Sequence, residues 1–284
     1  MSIASYEYIK GKKKNEVLLE ANHPMRADVL EELPVKKLAD LAAQNGMPAV
    51  ALTDTNALFA ALEFSVKAQD AGVQPIIGCQ ITLEAGPVAP GITGPVVLLA
   101  QDRAGWLNLM DMSTCLYLRG DGALPHVTLD ELAARAEGLI CLTGGALGPL
   151  GQLVGQGRQQ DAGDLAAALA TAFPTRLYIE LQRHHDAEGR PVPEEQAAEG
   201  GMIDIAYAQD LPLVATNDVY FPKAELYAAH DALICISERA YVDQTAPRRR
   251  LTPQQVGRVV ADPVDQQRLI DRSDDQPVFL DQGQ

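Results

Sequence analysis

The chain has 284 residues, 47% of them hydrophobic and 21% charged, enough apolar side chain to bury one sizeable core in a single domain. With 38 acidic residues against 23 basic ones and a net charge of −15, it excludes a surface that grips nucleic acid by bulk electrostatics, which depends on clustered Lys and Arg. No apolar run reaches the roughly 18 residues of a membrane span, and the amino terminus lacks the apolar core of a secretion signal, so a soluble, cytoplasmic protein is expected.

Residues 1–15 are polar and basic and read as a flexible leader or an expression remnant. Their lysines, Lys10, Lys12, Lys13 and Lys14, and the later run Arg248, Arg249 and Arg250 read as solvated faces. Val17, Leu18 and Leu19 suggest a first strand. Pro34 opens a helix with Leu38, Leu41 and Ala42 on its apolar face and Gly46 at its end.

The stretch 50–80 reads as one strand, helix, strand unit. Residues 50–53 form an apolar run short enough for a buried strand, and Asp54, Thr55 and Asn56 supply turn and N-cap chemistry. A helix carrying Leu58, Leu62, Phe64 and Val66 follows, Gly72 closes it, and residues 73–79 give the next strand. Such a unit is a parallel pair with a right-handed crossover, and ligands gather at the carboxyl ends of its strands, here Asp54, Thr55 and Gln80.

Residues 84–94 are rich in Gly and Pro and read as a surface loop before a strand at 95–100. Trp106, Leu107, Leu109 and Met110 lie in the helix after it, and the single Trp is expected in the core. Thr128 and Glu131 have capping-box spacing at the head of a helix over 129–136. A strand at 138–143 ends in the Gly144-Gly145 turn, whose amides have the geometry of a weak phosphate cradle. A helix at 161–173 precedes a strand at 176–182 that delivers Arg183, His184 and His185.

Residues 186–201 read as a polar loop, with a helix at 202–209 and a strand at 211–216 ending in Asn217, Asp218 and Tyr220. A helix with Ala229, Leu233 and Ile236 follows. Thr252, Pro253 and Gln255 open a late helix, and beyond Val260 the apolar period fades. Counting gives six or seven βα repeats with no antiparallel hairpin signal, a pattern that favours a barrel over an open sheet. Cys79, Cys115, Cys141 and Cys235 form no Cys-x-x-Cys pair and read as buried free thiols of a reducing compartment.

The segments LTDTN, PIIGC, LYIELQRH, LPLVATNDVYF, AHDALICI and RRRLTPQQ together resemble the PHP (polymerase and histidinol phosphatase) domain at the amino end of bacterial replicative DNA polymerase III alpha subunits. The resemblance implies an α/β fold, a distorted seven-stranded (βα) barrel of the PHP type. It implies a PHP domain at residues 16–260 and a truncated connection toward a polymerase core at 261–284.

Active members hold cations with His and carboxylate ligands converging at the barrel rim. An alignment carried back from Lys36 puts Ala21 and His23 at the family's first His-x-His pair, so one ligand is missing. Thr55 stands where a His is expected, Gln80 where a Glu is, Gly145 for a Cys or His, and Tyr220 for a His. An amide brings no charge with which to hold a divalent cation. His23, His184 and Asp218 remain, enough for at most one divalent ion (Zn, Mn or Mg), and no cofactor is the expectation.

His126 carries no motif, and His230 is expected to pack or to hydrogen-bond. No nucleophile elbow, phosphate loop or dinucleotide fingerprint occurs, nor the Asp-x-Asp pair of a polymerase palm. The expected function is therefore a degenerate PHP domain acting as a structural and interaction module in DNA replication, with no polymerase activity of its own. Its expected partners are the polymerase core of the same subunit and a proofreading exonuclease subunit, with DNA contacted only indirectly. The enzymatic alternative is a metal-dependent phosphoesterase, a 3′ to 5′ exonuclease or a pyrophosphatase, ahead of a small-molecule phosphatase.

Overall fold

The computed structural model describes residues 35–118, 125–186, 189–217 and 227–244. The expected strand at 17–19, the leader, the basic runs and the late helix at Thr252 lie outside the described residues. The opening unit is present: helix α1 (Val35–Gln44), strand β1 (Ala49–Leu52), helix α2 (Ala61–Asp70) and strand β2 (Gln74–Glu84). β1 and β2 pair in parallel, Ala49 opposite Gln74 through Leu52 opposite Ile77. Gly72 follows the end of α2 with φ +75°, the left-handed turn that only glycine takes without strain. The expected side-chain cap of α2 is not made. Ala60 occupies the N-cap without a side-chain hydrogen bond, because Asn56 is drawn instead toward β2.

β2 runs on to Glu84, past the expected end at Cys79, and this corrects the all-parallel expectation. Ile81 and Leu83 are buried while Gln80, Thr82 and Glu84 are half-buried, a period of two that marks a continuing strand. The residues between Glu84 and β3 (Thr93–Ala100) hold only a single 3-10 turn, Gly86–Val88. A parallel return needs a crossover of a dozen or more residues, so the chain turns back antiparallel and pairs Glu84 with Thr93.

Helix α3 (Arg103–Leu118), strand β4 (Val127–Thr128), helix α4 (Leu129–Ala133) and strand β5 (Leu139–Leu142) follow. The capping box forms, with Thr128 Oγ1 accepting from the Glu131 amide and the Glu131 carboxylate accepting from the Thr128 amide. β5 is antiparallel to β3, again against expectation. Helices α5 (Pro149–Gly155) and α6 (Gln159–Ala172) lead to β6 (Leu177–Leu181). Helix α7 (Pro193–Ala208) begins well inside the expected loop at 186–201, since Pro193 at its start with Glu194 and Glu195 in the first turn is helix-opening chemistry. Strand β7 (Leu213–Ala215) and helix α8 (Tyr227–Glu238) complete the described chain.

The strands form a seven-stranded mixed sheet in the order β1-β2-β3-β5-β6-β7, with β4 beside the end of β2, curled into a half-barrel. β5, β6 and β7 are mutually parallel. One face of the sheet, with Ile81, Leu83, Leu98, Cys141, Leu177 and Ile179, is almost wholly buried in the main core. Burial of each large aliphatic side chain contributes about 1.5–3 kcal/mol.

A smaller cluster of Ala39, Ala42, Phe64, Ala68 and Val73 holds α1 and α2 together against β1. At the head of α3, the backbone of Gly105 lies so near Gly138 that a Cβ on it would sit 1.9 Å from the Gly138 carbonyl oxygen. Glycine is required for that approach. Three cysteines are buried and Cys115 is half-buried, and all four are free thiols. No helix of the described residues is long and apolar enough to cross a membrane.

Candidate functional site

The carboxyl ends of the parallel strands gather the described candidates on one rim. At the β1–β2 side, Thr55 and Gln80 come together across a parallel bridge, and Gln80 Nε2 donates to Thr55 Oγ1 at 3.3 Å. The Asn56 amide donates to the Gln80 carbonyl at 2.8 Å, and the Gln80 amide to the Asp54 carbonyl at 3.1 Å. Asn56, at φ +53°, accepts the Thr82 amide on Oδ1, and Tyr117 reaches from α3 to donate its hydroxyl to the Asn56 carbonyl at 2.8 Å. The Thr55 and Gln80 side chains are thus neutral and hydrogen-bonded to each other.

Burial raises the pKa of the neighbouring Asp54 carboxyl above its ordinary 3.8. A carboxyl whose folded pKa lies above its unfolded one takes up protons on folding, so its ionised form penalises the native state once pH rises through the raised value. Asp54→Asn is therefore expected to raise the urea midpoint at pH 7, with the gain shrinking as pH falls toward 4. Urea titrations of both proteins at the two pH values measure it.

At the β5–β6–β7 side, the Gly144-Gly145 turn follows β5 with φ +80° and +60°. Its Gly144 amide, a candidate phosphate donor, is occupied by the protein's own anion: it donates to Glu180 Oε2 at 2.9 Å. Glu180 is only 3% exposed. Its Oε1 accepts from the Thr216 hydroxyl at 2.5 Å, and its amide donates to Thr143 Oγ1 at 2.9 Å. Gln182 Nε2 donates to Thr216 Oγ1 at 3.2 Å. Burial, and then the Glu180 charge, push the Cys141 thiol far above its ordinary range, which leaves it inert as a nucleophile.

His184 is 2% exposed and held from α7. Glu195 takes its backbone amide on one carboxylate oxygen and faces Nδ1 with the other, both at 2.6 Å, while Nε2 lies 3.1 Å from the Asn217 carbonyl oxygen. A cation at Nε2 would have to displace that carbonyl contact. One helical turn on, Glu199 takes the Arg183 guanidinium in a two-point pair at 2.9 and 2.6 Å, so consecutive residues of the rim loop are tied to α7.

His23, Ala21, Asp218 and Tyr220 lie outside the described residues, and of the three-residue remnant only His184 is described. Among the described residues, no three His, Cys, Asp or Glu side chains gather as a metal site. Thr55, Gln80 and Gly145 supply no anionic or imidazole donor, and they do not fit a multinuclear cation centre. His126 pairs with Glu84, Nε2 to Oε2 at 3.5 Å. Sequence reasoning overlooked Glu180, Gln182 and Glu195, and the one available signal was an acidic residue inside the apolar strand LYIEL.

A second feature lies between α2 and α3. An apolar groove of about 510 Å³ is lined by Leu58, Phe59, Leu62, Ile77, Trp106 and Met110. Trp106, expected in the core, is half-buried on its wall. Val66, Leu107 and Tyr117 extend the exposed apolar surface around it.

The PHP domain family matches residues 31–184. The chain is 45% identical over 223 residues to the DNA polymerase III subunit alpha of Caulobacter vibrioides, covering 77% of this chain and 19% of that protein. It is 36% identical over 229 residues to an error-prone DNA polymerase of Symbiobacterium thermophilum, 75% of this chain and 20% of that one. To the DNA polymerase III subunit alpha of Escherichia coli it is 32% identical over 219 residues, 77% of this chain and 18% of that one. The chain therefore spans about a fifth of the length of these relatives. With more than half of its residues inside the family match and three quarters aligned to these polymerases, the protein belongs to the PHP domain family and is homologous to DNA polymerase III alpha subunits.

Proposed function

We propose that residues 16–260 are the PHP domain of a replicative polymerase alpha subunit that works as a structural and interaction module in the cytoplasm, without hydrolytic chemistry of its own. The reading is supported by the family match over residues 31–184 and by the neutral character of Thr55, Gln80 and Gly145, which the resemblance puts at ligand positions, two of them bonded to each other. Its partners on this reading are the polymerase core of the same subunit and a proofreading exonuclease subunit. DNA is contacted only through them.

The test is metal content after purification in zinc and manganese, together with release of nucleotide from a 3′-labelled oligonucleotide and of phosphate from pyrophosphate. The expected result is less than one ion per chain and no turnover. Two or more ions bound stoichiometrically would overturn the reading.

The clamp on His184 favours a second reading. Metal-ligating histidines usually give their other ring nitrogen to a carboxylate, as Nδ1 does to Glu195. A phosphoesterase using His23, His184 and Asp218 predicts manganese-stimulated release that disappears in both His184→Ala and Asp218→Ala.

A further inference from the structure

The rim of β5, β6 and β7 has little backbone pairing with which to hold itself together. β5 and β6 share two register pairs, Cys141 with Leu177 and Leu142 with Tyr178, and β6 and β7 share three. Beyond those ladders the rim keeps two backbone bonds, from the Thr143 amide to the Tyr178 carbonyl and from the Thr216 amide to the Leu181 carbonyl, and the remaining links run through side chains that converge on Glu180. One of its carboxylate oxygens receives the Gly144 amide from the end of β5, the other the Thr216 hydroxyl from the end of β7, and its own amide is anchored on Thr143. Gln182 closes the set from β6 through Thr216 and lies 3.5 Å from Glu180. Joining strand ends through shared anionic ligands is what bridging cations do at a metal rim. Here N–H and O–H donors take that place.

Residue 145 is coupled to this arrangement by space. A Cβ on Gly145 would lie 2.6 Å from Gln182 Oε1 and 2.8 Å from its carboxamide carbon. The Gln182 amide fills the volume that a side chain at residue 145 would need.

We propose that Glu180, with Thr143, Gly144, Gln182 and Thr216, is a hydrogen-bonded brace that ties β5, β6 and β7 together in place of cations, and that Gln182 enters it only because residue 145 is glycine. The proposal rests on the scaffold reading and deepens it. The domain then needs no metal to hold its rim, and a side chain placed at 145 has first to displace the Gln182 amide.

The test uses thermal melts of the whole chain, in EDTA and in manganese, for the wild type, Glu180→Ala, Glu180→Gln, Gln182→Ala, Gly145→Ala and the Gly145→Ala/Gln182→Ala pair. The wild-type Tm is expected to be the same in both buffers. Glu180→Ala orphans the buried Gly144 amide and the half-buried Thr216 hydroxyl and is expected to lower Tm by roughly 5–15 °C. Glu180→Gln keeps one acceptor and should lose less, which gives a readable variant if the alanine form fails to fold. Gly145→Ala is expected to cost fewer degrees in the Gln182→Ala background than alone, the non-additivity of two groups competing for one space.

Equal melting of Glu180→Ala and wild type, or additive losses at 145 and 182, overturns the brace alone and leaves the scaffold reading standing. A wild-type Tm raised several degrees by manganese overturns the replacement of cations, and the scaffold reading with it.

Discussion

Glu195→Ala is expected to lower the unfolding free energy by about 3 kcal/mol, the cost typical of leaving two buried donors without their acceptor. The Glu195 and His184 side chains are 12% and 2% exposed, and the carboxylate satisfies two donors at once, the ring and the backbone amide of His184. Without it, a buried imidazole and a buried N–H lose their acceptor together. Glu195→Gln retains one acceptor and should cost less than half as much. Because the Val192 amide closes the same loop onto the His184 carbonyl at 3.0 Å, amide exchange at both residues should quicken in Glu195→Ala. Urea unfolding with a free fit of the slope, followed by exchange at those amides, measures both effects. A midpoint unchanged within error would mean that α7 does not hold the rim loop.

Phe64→Ala should cost about 3–5 kcal/mol, because it removes a fully buried aromatic ring and leaves a cavity among small side chains. Phe64 is 0% exposed at the centre of the smaller cluster, separate from the main core under β2, β3, β5 and β6. The effect should therefore be regional. α1, α2 and β1 lose protection first, and with β1 goes the Thr55–Gln80 contact. In contrast, Leu98→Ala in the main core should lower protection everywhere. Residue-resolved hydrogen exchange distinguishes the two, and uniform loss in Phe64→Ala would show that both clusters unfold as one unit.

The parts legible in the sequence were those written in adjacent residues. The β1–α2–β2 unit follows from an apolar run, a turn, a helical period and Gly72, and the Thr128–Glu131 capping box from a spacing of three. The reversal of β3 was also written, in the alternation of Gln80, Ile81, Thr82, Leu83 and Glu84, but the Gly and Pro content after Glu84 masked it. Polarity hid the start of α7 in the same way, since Pro193 and Glu194 of its first turn are exposed while Ala198, Met202 and Ile205 carry its buried side.

The rim was less accessible. Only the resemblance implies ligand positions at Thr55, Gln80 and Gly145, and no periodicity marks them. The Glu180 contacts join residues 36 positions apart in both directions, to Gly144 and to Thr216, and depend on the register of three short strands. No local pattern encodes such a register. Glu195 reaches His184 across 11 positions only because α7 begins at Pro193 and turns its first acidic face toward the loop.

The chain's one tryptophan stands on the wall of the groove between α2 and α3. Intrinsic emission excited at the indole band thus arises from a single, half-shielded fluorophore. Anything that settles into that groove should shift its wavelength toward the blue and slow its quenching by acrylamide, without a label and without an engineered reporter.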